Sequence, residues 1–398
     1  MATNQIVIVG AKRSPIGNLC GALAPLDAHE TGSQVVKAAL EQAQLVGSDI
    51  DETILGQVLT AGAGMNPARQ AARMANIVDA APAMTINQVC GSGLRALALG
   101  AQQISTGAAN IVLAGGQESM SNAPHLANLR TGKKLGDKPL VDSVLNDGLS
   151  DAFYGYPMGN TAENIVEKYG FSRQQQDEFA LASQQKASSA QKTSRFEGEI
   201  AKITIAGRIR DVIFDSDEFI RHDTDLASLA KLRPAFVENG TVTAGNSSGI
   251  NDGAAALVLM KKTTAEEKNI PPLASIISFA HTGLDPQFMG LGPISASKKA
   301  LELAGWNIAD VDLFEINEAF AAQSMAVIGE LEIDLKKVNV NGGAIALGHP
   351  IGASGARIMV TLIHELRRRK LRRGLATLCI GGGMGIAMCI ENGDMLGE

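Results

Sequence analysis

Cysteine is scarce in this chain, with 4 among 398 residues at unrelated spacings. That excludes a disulfide framework, and no pair has zinc-ligand spacing with a matching second pair. A reducing compartment is the expectation. Long apolar runs are also missing: none reaches the roughly 18 residues of a membrane span. Positive charge is not in excess. The formal net charge is -6, and without a long basic stripe neither nucleic acid nor an anionic membrane is an expected partner. The longest basic run, Arg367 to Arg373 with Leu371 interrupting it, falls around a predicted helix end, where cations complement the dipole. His29-Glu30 and His364-Glu365 lack the second His of a zinc-protease helix, so no metal is expected. The first residues show no secretory pattern, and Met395 to Glu398 are not a peroxisomal address. The cytoplasm is the default expectation.

Glycine is abundant instead: 43 residues, where a usual share of about 7% would give roughly 28. Many lie near candidate site residues, where close backbone approach needs them. Hydrophobic residues at 45% and charged residues at 19% describe an ordinary soluble globular composition, long enough for two to three domains.

The chain repeats itself. Ala39, Leu40, Glu41, Ala43, Asp49 and Asp51 recur 261 residues later as Ala300, Leu301, Glu302, Ala304, Asp310 and Asp312. Ser92, Gly93 and Arg95 recur as Ser354, Gly355 and Arg357, and IVLAGG at Ile111 to Gly116 matches TLCIGG at Thr377 to Gly382. Three segments in one order indicate duplication. Each half reads as strand, helix, strand, helix, strand, with strands predicted at Ile6 to Val9, Ile54 to Leu59, Ala274 to Ala280 and Leu313 to Ile316. Helices are predicted at Thr31 to Gln44, Gly93 to Ser105, Ser297 to Ala304 and Ala353 to Arg368. The predicted fold class is α/β: duplicated βαβαβ halves forming a layered core. Residues 1–118 with 250–270 make one half, 271–398 the other, and 119–249, richer in Asn, Gln, Lys and Asp, an inserted loop lobe. Large insertions of this kind usually leave strand ends and close a ligand site.

Four constellations could carry chemistry. In NQVCGSGLRALALGAQQI, Cys90 sits at a strand-to-helix corner, where helix N–H groups should lower a thiol's pKa and leave oxyanion donors nearby. A small buried hydrophobe is the competing reading. In NVNGGAIALGHPIGASGAR, His349 precedes Pro350 and is held extended before a second helix entry, the repeat's counterpart of the Cys90 corner. In ATLCIGGGMGIAMCIE, Cys379 stands at the mouth of a glycine turn. A hairpin fits better than a phosphate loop, because the chain continues as a strand. Cys389 and Cys20 are expected in the core. In LFEINEAFAAQS, Glu315, Asn317 and Glu318 end a strand. The alternative is that Asn317 and Glu318 cap a helix at Ala319. The insertion adds Arg221, His222, Lys231 and Arg233, suited to a phosphate ligand or to a solvated face.

Together NQVCGSG, VTAGNSSGINDGAA, NEAFAAQ, NGGAIALGHPIGASGAR and CIGGGMG resemble the thiolase family over essentially the whole chain. The resemblance implies a layered α/β/α/β/α core and reversible Claisen condensation of two acetyl-CoA to acetoacetyl-CoA and CoA. No cofactor is implied, since the coenzyme A thioesters are substrates. Cys90 matches the acylated nucleophile, His349 its base, and Cys379 the second cysteine that moves the α-proton. Asn317 and His349 match one oxyanion hole, and the N–H groups of Cys90 and Gly381 the other. Arg221, Ser228, Ala244 and Ser248 match coenzyme A contacts, and Met158 and Met289 close the acyl pocket in short-chain members. Pro157 departs from the pattern, standing where such members usually carry His. Asn122 to Leu140 resembles the arm through which many thiolases form homotetramers. A broader-range degradative 3-ketoacyl-CoA thiolase, a Cys90–His349 hydrolase and a non-catalytic acyl-CoA binder are the alternatives.

Overall fold

The computed structural model describes residues 5–395. The reading of the C-terminal address therefore lies largely outside the described residues. The chain runs β1 (Ile6–Arg13), α1 (Ala28–Gln42), β2 (Glu52–Gly56), α2 (Pro67–Met74), β3 (Ala83–Ile86), α3 (Ser92–Thr106) and β4 (Ile111–Glu118). Helices α4 (Met158–Tyr169) and α5 (Arg173–Lys192) follow, then β5 (Asn251–Lys261). The last third carries β6 (Ala274–Gly283), α6 (Gly292–Ala304), β7 (Leu313–Ile316), α7 (Ala321–Glu330), α8 (Ser354–Arg369), β8 (Arg373–Ile380) and β9 (Met384–Asn392).

These strands form one sheet in the order β7-β8-β9-β6-β1-β5-β4-β2-β3, with the short strand Gly17–Asn18 also on β5. The two halves meet where β1 pairs antiparallel with β6, through Ile6↔Ile276 to Ile8↔Ala274. Outward from that seam the halves repeat each other. The counterpart of β3 is reduced to a single bridge between Phe314 and Val338.

Alternation along the strands explains the layers. On β1, Ile6 and Ile8 face a core shared with α3 and α8, while Val7 and Val9 face a second core against α1. On β8, Ala376, Leu378 and Ile380 join the α3–α8 core, whereas Leu375 joins a third core under α6 and α7. Helices α3 and α8 thus lie in the middle layer, and the fold is the layered α/β arrangement. The two central helices cross at backbone distance. A Cβ on Gly93 would stand 2.6 Å from the Ala356 nitrogen, and one on Gly355 2.4 Å from that of Leu94. Gly is required at both positions of this crossing.

The strand registers correct one part of the repeat. Glu52 pairs with Val112 in the first half, and Leu313 with Gly374 in the second. Ile111–Gly116 therefore corresponds to Arg373–Leu378, four residues before the TLCIGG match. The shared Gly-Gly drew the alignment to a turn rather than to the equivalent strand.

Candidate active site

Cys90, Cys379 and Asn317 stand at or just beyond the carboxyl end of a sheet strand, the usual place for a site in such sheets, whereas His349 sits in the loop before α8. Cys90 follows β3 and lies two residues before α3. Val89 before it holds φ +47°, a left-handed conformation that a β-branched residue rarely adopts. The turn is fixed by Ser92, whose hydroxyl donates to the Val89 carbonyl at 2.7 Å and accepts from Gln88 N–H at 2.8 Å. Cys90 is half-buried, against Leu59, Met120, Val144 and Ile351. The Gly381 N–H and its own N–H favour the thiolate, yet burial outweighs them and pushes the thiol up to about 11. The expectation of a lowered thiol pKa is thus corrected: desolvation exceeds the effect of the nearby backbone N–H groups.

Cys379 is fully buried near the end of β8. Its register partner is Gly385 on β9, and Ile380 opposes Met384 across the turn, so the glycine run is a hairpin and not a phosphate loop. Gly382 and Gly383 there adopt φ +84° and +81°. Burial, and then the neighbouring Cys90, hold the Cys379 thiol far above the ordinary range. Cys389 is buried, as expected, but Cys20 is exposed at φ +56°, a turn position and not the core.

His349 is buried between two polar side chains. Its Nδ1 lies 2.5 Å from Ser354 Oγ, and its Nε2 lies 3.4 Å from Asn317 Nδ2. The Ser354 hydroxyl already donates to the Pro350 carbonyl at 2.8 Å, so it accepts from Nδ1–H. This leaves the lone pair on Nε2. Burial and the Arg357 charge depress the ring to about 3. At rest Cys90 is consequently a neutral thiol and His349 a neutral imidazole.

Asn317 does not cap a helix, and neither does Glu318, because α7 begins only at Ala321 and its first N–H donates to the Asn246 carbonyl at 2.9 Å. Glu318 is a buried anchor, accepting from Ser183 Oγ at 2.7 Å and Asn339 Nδ2 at 2.8 Å. Asn317 Oδ1 has no hydrogen-bond partner among the described residues.

Sequence reasoning missed Glu118. This buried carboxylate at the end of β4 accepts from Val58 N–H at 2.9 Å, Leu59 N–H at 3.1 Å and Gly352 N–H at 2.9 Å. It joins the loop carrying His349 to the wall beside Cys90, and burial raises it to about 7. An acidic residue inside GGQES reads as a turn. Only the sheet position, with three unpaired N–H groups converging on it, reveals its work. Asn251 is a second such anchor, accepting the His349 N–H at 3.0 Å.

A cavity of about 810 Å³ opens beside His349, lined largely by apolar side chains that include Phe236, Phe320, Pro157 and Ile351. Arg221, Ala244, Ser248 and Met158 also line it. Ser228 does not: it faces an adjoining hollow of about 530 Å³ that Arg221, His222 and Thr224 share. Lys231 and Arg233 are exposed. Met289 is buried in the cluster that holds Cys379, Met158 and Phe320. Pro157 stands at the N-cap of α4 with φ -60°, which suits its ring, and presents an apolar wall. No group of three or more His, Cys, Asp or Glu arranged for a metal occurs among the described residues.

Comparison with known proteins covers the whole molecule. Residues 6–263 match the family described as Thiolase, N-terminal domain, and residues 270–392 match Thiolase, C-terminal domain. The chain is 58% identical over 391 residues to an acetyl-CoA acetyltransferase of Rhizobium meliloti, covering 98% of this chain and 100% of that one. It is likewise 58% identical over 392 residues to one from Shinella zoogloeoides, covering 98% and 100%. Among solved structures, the Bacillus anthracis acetyl-CoA acetyltransferase superposes with a TM-score of 0.96 at 45% identity, covering 98% of this chain and 99% of that one. The human mitochondrial 3-ketoacyl-CoA thiolase superposes at 0.95 and 42% identity, covering 98% and 100%.

Proposed function

The chain belongs to the thiolase family, and from that premise we propose that it is an acetyl-CoA acetyltransferase, joining two acetyl-CoA into acetoacetyl-CoA and CoA and running the reverse cleavage. The observation that carries the residue roles is the meeting of chain segments around one sulfur: Gly381, two residues past Cys379, packs against Val89, the residue before Cys90, and Cys90 is close enough to Cys379 to push its thiol up.

In the first half-reaction Cys90 Sγ attacks the thioester carbonyl while its proton passes to His349 Nε2. The carbon–sulfur bond to CoA then breaks, and the leaving sulfur takes that proton back, so an acetyl thioester on Cys90 remains. In the second, the Cys379 proton passes to His349, and the Cys379 thiolate removes a proton from the methyl carbon of another acetyl-CoA; the resulting carbanion attacks the acetyl-Cys90 carbonyl. Cys90 leaves as thiolate and takes back the proton that His349 held, so both cysteines end as thiols. The Cys90 and Gly381 N–H groups serve the oxyanion on one carbonyl, and His349 with Asn317 the other. Arg221, Ala244 and Ser248 line the path for coenzyme A, with Ser228 at its outer hollow. Met158, Met289 and Pro157 bound a short acyl group. Neither a cofactor nor a metal enters this chemistry.

Among the described residues no helix is long and apolar enough to cross a membrane; the location we propose is the cytoplasm, on the scarcity of cysteine that suits a reducing compartment. The exposed hairpin formed by His125–Leu126 and Val141–Asp142 supports a homotetramer assembled through it.

Intact-protein mass after brief exposure to acetyl-CoA tests the reading. The wild type gains one acetyl group on Cys90, lost on adding CoA, and Cys90→Ala gains none. Cys379→Ala accepts the acetyl group and makes no acetoacetyl-CoA. Full turnover by either variant overturns the assignment. Rates on acetoacetyl-CoA against a C8 3-ketoacyl-CoA separate it from a broad-range 3-ketoacyl-CoA thiolase.

A further inference from the structure

Two residues singled out by the sequence, Glu315 and Arg357, take no part in the steps above. Both are buried, and their ion pair spans 3.5 Å from Arg357 Nη1 to Glu315 Oε2. Their placement follows the site. Glu315 lies two residues before Asn317, so strand alternation sets both on one side of that strand end. Arg357 lies three residues after Ser354, one turn along α8 on the same face. Asn317 and Ser354 are the two groups that flank the His349 ring, one at each nitrogen. The pair therefore ties the strand holding one side of the imidazole to the helix holding the other.

Packing alone does not account for the pair. None of the three guanidinium nitrogens of Arg357 makes a hydrogen bond to the described residues, and neither does Glu315 Oε2. The other nearby carboxylates are engaged elsewhere. Glu199 is bonded to Arg13 and Thr361, Glu318 to Ser183 and Asn339, and Glu365 to Arg368 and Asn341. A buried pair satisfied this poorly is often matched or exceeded in stability by apolar side chains of the same volume. Its use must lie in what it does to its neighbours.

We propose that Arg357, held by Glu315, is a positioning residue for His349: the pair keeps Asn317 and Ser354 in register on either side of the ring, and the guanidinium charge faces it. This rests on the reading of His349 as the base for Cys90. The electrostatics agree in sign. Burial first and Arg357 second depress the imidazole, and no carboxylate counts among the groups acting on it. Burial raises Glu315 to about 8 although Arg357 opposes this, with Glu199, Glu318 and Glu365 pushing the same way as burial. The ring thus takes a proton only when negative charge forms beside it, and it returns that proton readily to a leaving sulfur.

The test is a 15N imidazole titration of His349, assigned with a His349→Asn control, alongside acetyl-transfer kinetics. Wild type, Arg357→Met, Arg357→Lys and Glu315→Gln are compared. Removing the guanidinium charge should make the imidazolium easier to form, so Arg357→Met shows a several-fold larger protonated fraction at pH 5 than wild type. Its acylation slows at least tenfold with little change in KM for acetyl-CoA. Arg357→Lys returns both towards wild type. Glu315, without its partner, stays protonated, so Arg357→Met leaves no bare buried carboxylate. Should Arg357→Met fail to fold, Glu315→Gln decides above pH 8, where the wild-type carboxyl is ionised: the Arg357 charge persists and the ion-pair tether is lost, so acylation there slows while the protonated fraction at pH 5 does not rise. Equal His349 titration in wild type and Arg357→Met, or a raised fraction in Glu315→Gln, overturns the proposal. A wild type that never acetylates Cys90 refutes the function while leaving the titration to judge the placement.

Discussion

At the residue scale the site is governed by desolvation. Cys90 is pushed up to about 11 and His349 down to about 3, both by burial first. Neither group is therefore charged at neutral pH, and the thiolate forms only as the substrate carbonyl is attacked. Alkylation of the free enzyme makes this visible. The rate at Cys90, followed by peptide mapping to separate it from exposed Cys20, should climb about tenfold per pH unit from pH 7 to 10, because only the thiolate reacts. A plateau already reached by pH 8 would show instead a preformed thiolate–imidazolium pair. The direction of these shifts was not legible in the sequence. The corner at Cys90 announces helix N–H groups, but burial depends on Leu59, Met120 and Ile351, which arrive from distant segments. Glu118 was hidden for the same reason, since its three partners lie 60, 59 and 234 residues away.

At the element scale, the pairing of α3 with α8 sets the separation of the two half-sites, because Cys90 lies two residues before α3 and His349 five residues before α8. The sequence exposed this through the Ser-Gly-x-Arg repeat, and the strands and helices it marked form close to their expected bounds. The cue is local: period-two apolar runs and small residues at a helix start. It failed where composition mimicked a repeat, at IVLAGG against TLCIGG, and where NEAFAAQ turns helical only at Ala321, whose N–H goes to the Asn246 carbonyl. Gly93→Ala is the sharpest probe of the crossing. Its methyl would fall 2.6 Å from the Ala356 nitrogen, a backbone atom with no freedom to rotate away. Overpacking of this kind costs about 1–3 kcal/mol. The variant should unfold at lower denaturant and lose acetyl transfer in greater proportion than folded protein. An unchanged midpoint would show that the helices part without cost.

At the scale of the whole molecule, residues 119–249 show two features, of which only the second, the arm at Asn122 to Leu140, was legible in the sequence. One is the anchorage of this segment to the first strand. Arg13 is fully buried and donates to Glu199 at 2.6 Å and, in bidentate fashion, to Asp217 at 2.7 and 2.9 Å. Removing one partner leaves two buried carboxylates facing each other, which costs about 3–5 kcal/mol. Arg13→Met should therefore shift the denaturation midpoint strongly, although the residue touches neither sulfur, and a loss comparable to a surface substitution would contradict it. The other is the hairpin reaching outward through Leu129, Leu135 and Leu140, which are 67%, 91% and 66% exposed. Three leucines held so far into solvent on one excursion exceed the scattered apolar exposure of a monomer and need a partner surface. If that partner is the same hairpin in another subunit, Leu129→Gln, Leu135→Gln and Leu140→Gln combined should reduce the mass found by sedimentation equilibrium while Cys90 still accepts an acetyl group, because the hairpin contributes no residue to the catalytic corner. A tetramer unchanged by all three substitutions would place the contact between subunits elsewhere.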